Sequence, residues 1–418
     1  MMQATRIAAL MAAFIGAASA IERGTLVIAG GAVSADSADI FQAFITHMPP
    51  GADRIAIIPA ASGVPAESAA AFIEALGRYG VAADRIDIIA LAVEDDPSTD
   101  AIDESTWKGN AANPAEIARI ERAGAIWFTG GDQARITAAL LNADGSDTAM
   151  LTAVRARLAA GAVVGGTSAG AAIMSPTMIA RGDSLTALTE PVATSSDTSR
   201  MDGGALVLAK GLGFLPGAVT DQHFDRKARL GRLARALTLA PKDQRIGFGV
   251  DENTALVVDL DARRASVAGE GSVTVLDARS VRATGEATPF AAEGFTVSVF
   301  NAGDTLDMAT LSLTPAPFKV TTRGKEYYDH TPIDGGGMAV PNPMLEEALG
   351  VDLVDNSVAT SLTRVSFTQA GAGVSYIFAE TPESTGWQGA APDGRTRYTI
   401  SSVRFAIAPV DVKITPAR

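Results

Sequence analysis

A serine stands at the centre of Gly165-Gly166-Thr167-Ser168-Ala169-Gly170-Ala171, between the short apolar run 162–164 and small residues that can enter a helix. The Gly-x-Ser-x-Gly spacing from Gly166 to Gly170 is that of a strained strand-turn-helix elbow. Glycine and alanine admit the close backbone packing there, and the serine hydroxyl is left exposed as a potential nucleophile. Such a hydroxyl works only if a base, an orienting acid and an oxyanion hole reach it. The chain holds three histidines. His47 lies near a predicted helix end, where an imidazole satisfies terminal carbonyls. His330 lies in the turn-like stretch 328–332. His223, in Asp221-Gln222-His223-Phe224, follows the apolar run 215–219 and so occupies a strand end, where a base is useful. Glu252 follows one strand-like run and precedes another; it is the candidate acid to fix the tautomer of the base. Its neighbour Asp251 is the alternative, or a turn cap. In Phe128-Thr129-Gly130-Gly131-Asp132-Gln133 the glycine pair lets a backbone N–H face a cleft. The N–H groups of Gly131 and Ala169 are therefore the candidate oxyanion hole, while Asp132 also reads as a helix N-cap.

The elements that must position these residues alternate. Strands are predicted at 25–29, 54–59, 85–89 and 125–129, and helices at 67–79, 115–123 and 151–160, the last just before the serine strand. This is an α/β pattern with a mostly parallel sheet, whose sites gather at the carboxyl ends of strands. The glycine pairs 30–31 and 130–131 and Ser168 all fall at such ends. Beyond about residue 255 the pattern turns to strands, at 254–258, 272–276, 295–300, 375–378 and 397–404, separated by Gly, Pro, Asp and Thr. The expected organisation is a domain over 21–285 and a β-rich C-terminal extension over 290–418, which could be a separate module.

Residues 1–20 have the layout of a secretory signal: Arg6, an apolar core over 7–15, and Ala18-Ser19-Ala20 before a cleavage point. The alternative is an N-terminal helix of the fold. Export, periplasmic or extracellular, is expected, with a mature start near Ile21. The apolar stretch is too short for a comfortable membrane span, so no membrane partner is expected. The chain has no cysteine, which excludes disulfides, thiolate metal sites and a thiol nucleophile. A formal charge of −13 over 418 residues gives no global attraction for nucleic acid. Neither metal nor organic cofactor is called for.

The order Ser, His, Glu differs from the Ser, acid, His of α/β-hydrolases, for which only His330 could serve. Four blocks together, 128–133, 165–171, 221–224 with 229–233, and 249–255, resemble the cyanophycinases, within the aspartyl dipeptidase-like serine peptidases. The resemblance covers roughly 24–285, and the leader and long extension are like those of the secreted members. It implies a class I glutamine amidotransferase-like, flavodoxin-like fold, a mostly parallel sheet with helices on both faces and serine in place of cysteine at the elbow. It implies hydrolysis of cyanophycin, a poly-aspartate with arginine on each side-chain carboxyl, to β-aspartyl-arginine dipeptides. By motif position Ser168 is the nucleophile, His223 the base and Glu252 the orienting acid. Gln133, Asp221, Gln222, Arg229 and Arg232 would line the substrate pocket, with Lys227 where the family usually has arginine.

The cluster Arg226, Lys227, Arg229, Arg232 and Arg235 makes independent sense in an acidic chain. Arg229 and Arg232 share a helical face, and planar guanidinium groups grip carboxylates bidentately. The alternative is a solvated basic face. Substrate arginines would need acids, for which Asp132 and Asp221 are available. Other expected partners are a small β-aspartyl peptide in place of the polymer, and a second copy in a homodimer. Two alternatives stay open: an aspartyl or isoaspartyl dipeptidase, and an exported, non-catalytic binding protein that works through its extension.

Overall fold

The computed structural model describes residues 23–100, 102–193, 203–285, 288–332, 335, 337–338, 344–413 and 415. The proposed leader, 1–20, lies outside them. Short β-branched runs form strands β1 (Thr25–Ala29), β2 (Ile55–Ile58), β3 (Ile86–Ile88), β4 (Ala125–Phe128) and β5 (Val163–Thr167). They pair in parallel in the order β1-β5-β4-β2-β3. Both faces are apolar, as a sheet sandwiched by helices requires. On β1, Val27 and Ala29 face a core shared with α1 (Ala38–Thr46) and α2 (Pro65–Arg78). Leu26 and Ile28 face the opposite core, shared with α3 (Pro114–Glu121), α4 (Gln133–Leu140) and α5 (Ala149–Ala159). The serine elbow leads from β5 into the one-turn α6 (Ala169–Ala172).

Strands β6 (Thr177–Arg181) and β7 (Val207–Lys210) form a separate pair, and α7 (Ser184–Thr189) lies between them in sequence. Next, β8 (Ala218–Asp221) leads to α8 (Leu230–Leu239) and β9 (Ile246–Val250). Then β10 (Thr254–Asp259) and β11 (Arg264–Gly269) return to the first sheet, antiparallel along the edge of β1. The first sheet is therefore mixed rather than mostly parallel.

Residues 290–418 are rich in strands but do not stand apart. Strands β12 (Ser272–Asp277), β13 (Arg282–Ala283) and β14 (Ala292–Asn301) precede the β15 (Thr305–Asp307) and β16 (Leu313–Thr314) hairpin, which extends the first sheet through β11. The remaining strands are β17 (Val320–Thr321), β18 (Ser361–Phe367), β19 (Ala372–Ala379), β20 (Thr385–Ala390) and β21 (Thr396–Asp411), with the short α9 (Leu345–Leu349) before β18. A second sheet runs β17-β20-β21-β14-β12-β9-β8. The expected boundary at 285–290 thus cuts through one sheet and one core. Leu233 and Leu237 of α8 pack in the same cluster as Phe295, Val297 and Phe405. The strands beyond 290 continue the same sheet rather than forming a separate module, because β12, inside the expected 21–285 unit, pairs with β14, and β14 with β21. A buried Lys319–Asp304 pair at 2.8 Å, with Asn301 and Thr399 on the same ammonium group, pins the outer strands. Among the described residues, no helix is long and apolar enough to cross a membrane.

Candidate active site

Three turns bring three side chains together. Ser168 sits at the end of β5 with φ 53° and ψ −108°, a left-handed conformation that turns its hydroxyl out of the strand. His223 follows β8, also with a positive φ of 47°. Glu252 follows β9. His223 Nε2 lies 2.9 Å from Ser168 Oγ, and His223 Nδ1 lies 2.6 Å from Glu252 Oε1. A carboxylate only accepts, so the imidazole proton sits on Nδ1 and the Nε2 lone pair faces the serine. Burial pushes the His223 imidazole below its ordinary 6.5; the Glu252 hydrogen bond opposes this, and the charges of Lys227 and Arg229 reinforce it.

The turn after β1 ties these loops together. Consecutive carbonyls of Ala29, Gly30 and Gly31 accept the N–H groups of Ser168 at 3.0 Å, His223 at 2.6 Å and Asn253 at 2.9 Å. Gly31 has φ +116°, and a Cβ there would overlap the His223 ring. The Glu252 N–H donates to Asp225 Oδ1 at 3.0 Å. Asp251 instead points into the interior, where its Oδ2 accepts the Ser272 N–H at 2.9 Å. Burial, then Asp225, raises its carboxyl well above the ordinary 3.8. His47 donates to the Ala43 carbonyl at the end of α1, and His330 meets Asp352 in the extension; neither reaches the serine.

The Gly130–Gly131 turn abuts the elbow: a Cβ on Gly130 would lie 3.4 Å from that of Ser168. Gly131 has φ +142°, and its own Cβ would overlap the Ala61 carbonyl, so only glycine fits. Ala169 opens α6, so its N–H has no partner within the helix. Among the described residues, no group of three or more His, Asp or Glu side chains could hold a metal ion.

The model of peptidase family S51 matches residues 25–264. The chain belongs to peptidase family S51. It is a serine peptidase. It is 29% identical over 309 residues to a cyanophycinase of Nostoc sp. (strain PCC 7120 / SAG 25.82 / UTEX 2576), covering 72% of this chain and 91% of the relative. It is 32% identical over 266 residues to a cyanophycinase of Geminocystis herdmanii (strain PCC 6308), covering 63% and 84%. A solved peptidase from an acI-B1 Actinobacterium matches at 20% identity and a TM-score of 0.45, over 69% of this chain and 98% of that one.

In this S51 peptidase the expected substrate-pocket residues are mostly internal. Arg232 binds Asp221 through Nε at 2.8 Å and Nη2 at 2.5 Å, and its Nη1 donates to the Gly182 carbonyl at 2.6 Å. Arg232 is 2% exposed and Asp221 1%. The expectation that Arg232 grips a substrate carboxylate is thus corrected: Asp221 already occupies its fork. Arg229 is likewise buried, 3.6 Å from Asp221 and donating to the Gln222 carbonyl. Gln133 is buried, with its amide on the carbonyls of Ile179 and Ala180. The Gln222 Oε1 is buried and carries no hydrogen bond among the described residues. Lys227 is partly exposed. The solvated basic face is wrong as well, because every residue from Leu230 to Leu237 is buried. Arg235 packs over the Phe290 ring, 4.4 Å from its centroid.

Asp132 and Asp221 are not free to receive a substrate arginine either. Arg181, at the end of β6, holds Asp132 at 3.0 Å, and Asp132 also caps α4 through the Ala134 N–H. Sequence reading missed Arg181, Asp225, Asn253 and the role of Gly31. The asparagine left a signal, since Asn tolerates the left-handed φ of 50° that it adopts. Asp225 lies two residues beyond His223, just past the stretch 221–224 that was singled out. Arg181 left none, because its partner is 49 positions away.

Proposed function

We propose that the chain is an exported cyanophycinase that cuts cyanophycin to β-aspartyl-arginine dipeptides through Ser168, His223 and Glu252. The observation that carries the reading is the unbroken hydrogen-bond chain from Ser168 Oγ through His223 to Glu252. It occurs in a member of a peptidase family whose relatives at 29–32% identity are cyanophycinases. His223 takes the Ser168 proton as the hydroxyl attacks the carbonyl beside a β-linked aspartate. Backbone N–H groups of Gly131 and Ala169 hold the oxyanion. His223 then protonates the leaving amine, and water, activated by the same imidazole, releases the acyl group. The lowered basicity of His223 keeps the imidazole neutral, ready to accept a proton at neutral pH.

The parallel strands around an elbow that follows β5 support an amidotransferase-like core. The leader-like residues 1–20 support export with cleavage near Ala20, which N-terminal sequencing of secreted protein would check. The buried state of Arg232 and Arg235 removes the arginine-rich helix as a reason to prefer a polymer over a dipeptide. The deciding experiment is therefore clearing of insoluble cyanophycin by wild type and Ser168→Ala, with mass analysis of the product and aspartyl dipeptides in parallel. Wild type should release β-aspartyl-arginine and Ser168→Ala none, with the fold intact by circular dichroism. Turnover retained by Ser168→Ala would reject the mechanism, and cleavage of the dipeptides alone would reject the substrate.

A further inference from the structure

An open groove of about 410 Å³ lies on the second sheet, away from the triad. Its floor is a cross-strand row in which Asp277 of β12 pairs with Thr296 of β14 and Thr296 with Arg404 of β21. Asp277 is also in register with Ile246, the first residue of β9, whereas Glu252 follows the other end of that strand. Six residues at a strand rise of about 3.3 Å separate the row from Glu252 by roughly 20 Å.

The groove has features that a plain sheet face lacks. A register shift in the β14–β21 ladder releases the Ser402 N–H, which donates instead to the Ser298 Oγ at 3.0 Å. Ser402 and Leu311, both in the wall, adopt φ of 63° and 61°. Positive φ outside glycine and irregular ladders both concentrate at binding sites. Ser168, His223 and Asn253 share this strain in the triad region. Charges of both signs line the groove. Arg279 is paired with Asp277 at 2.7 Å, whereas the side chains of Arg404 and Glu383 have no hydrogen-bond or ion-pair partner among the described residues. Hydroxyls such as those of Thr296 and Ser298 fill the space between.

We propose that this groove is a second binding place for the substrate chain, which holds the polymer while its end is cut at Ser168. The proposal rests on the cyanophycin reading above. Each repeat of that polymer presents one free carboxylate and one guanidinium. Arg404 takes the carboxylate, Glu383 the guanidinium, and the hydroxyls bond the amides between them. A chain held in this groove raises the local concentration of its other repeats at the triad.

The test uses full-length protein. In a Ser168→Ala background, sedimentation with insoluble cyanophycin should retain the protein. Adding Arg404→Ala and Glu383→Ala should weaken that retention on the order of tenfold or more. With Ser168 intact, the same two substitutions should leave turnover of short β-aspartyl-arginine fragments unchanged while slowing clearing of the insoluble polymer. Equal retention with and without the two substitutions would overturn the groove. Loss of short-fragment turnover would also overturn it, since the residues would then act through the fold or the catalytic cleft. Wild type that hydrolyses neither form would instead reject the cyanophycin reading and this proposal with it.

Discussion

The contact between Gly31 and His223 yields a prediction that separates backbone strain from misplacement of the base. Gly31→Ala puts a Cβ where the backbone has φ +116° and the His223 Cε1 and Nε2 atoms already stand, with Nδ1 2.8 Å away. The conformation alone costs about 1–2 kcal/mol for a residue with a Cβ. Restoring carbon–carbon separation to about 3.5 Å requires the ring to retreat by about 1 Å. His223 cannot slide along its loop to do so, because its N–H is fixed on the Gly30 carbonyl at 2.6 Å. The ring must tilt instead, which lengthens the 2.9 Å Ser168 bond. A misplacement of that size costs on the order of 10²-fold in rate. Gly51→Ala is the control, since Gly51 has φ +80° and a Cβ there would meet nothing within 4 Å. Both variants should lower thermal stability, Gly31→Ala by more because the overlap adds to the strained φ, and only Gly31→Ala should lose kcat/KM. Wild-type kcat/KM in Gly31→Ala, or an equal loss in Gly51→Ala, would refute the reasoning.

Three further outcomes are expected. The acid limb of kcat/KM should fall below pH 6.5, because the active imidazole is neutral and burial lowers its pKa; Lys227→Met removes one lowering charge and should move the limb upward. A wild-type limb above 6.5 would count against His223 as the base. Arg232→Leu should lose about 3–5 kcal/mol in a denaturant titration by breaking its buried pair with Asp221, to which only the longer Arg229 contact at 3.6 Å remains, and a variant of unchanged stability with raised KM would restore Arg232 as a substrate ligand. Asp251→Asn should stabilise the protein on the alkaline side, seen as a melting temperature that falls less with rising pH. The folded-state pKa of Asp251 is raised, so its stabilising contribution is lost as pH rises through that value; parallel profiles for the two proteins would argue against a neutral Asp251.

The parallel half of the first sheet was legible because each of its strands is a short apolar run closed by a turn, as at 25–31 and 125–131, whereas its antiparallel edge was not. Ser168 was legible because its spacing is that of an elbow, and His223 because the chain offers few imidazoles, of which one follows a strand. The fate of the arginines was not. A guanidinium three residues from another looks the same in sequence whether it faces a substrate or an internal Asp221 eleven positions back. Strand propensity likewise says nothing about which edge a strand joins, so the sharing of β9 and β12 with β14 and β21 was hidden.

The deepest reason the site holds together lies in a turn that carries no reactive side chain. Ser168, His223 and Asn253 each sit at φ near 50°, a conformation costing about 1–3 kcal/mol per residue and kept only where surroundings over-determine it. Their N–H groups converge on three successive carbonyls, Ala29 to Gly31. Ser168 follows a strand of the first sheet, whereas His223 follows a strand of the second. Gly30 must also be bare, because a Cβ would overlap the carbonyls of Val250 and Asp251 at the end of β9. The turn after β1 therefore sets the relative position of two sheets as well as the strain of three loops. A shift of its backbone would lengthen the serine–histidine bond from both ends, so Ser168 and His223 are coupled through β1 before they are coupled to each other.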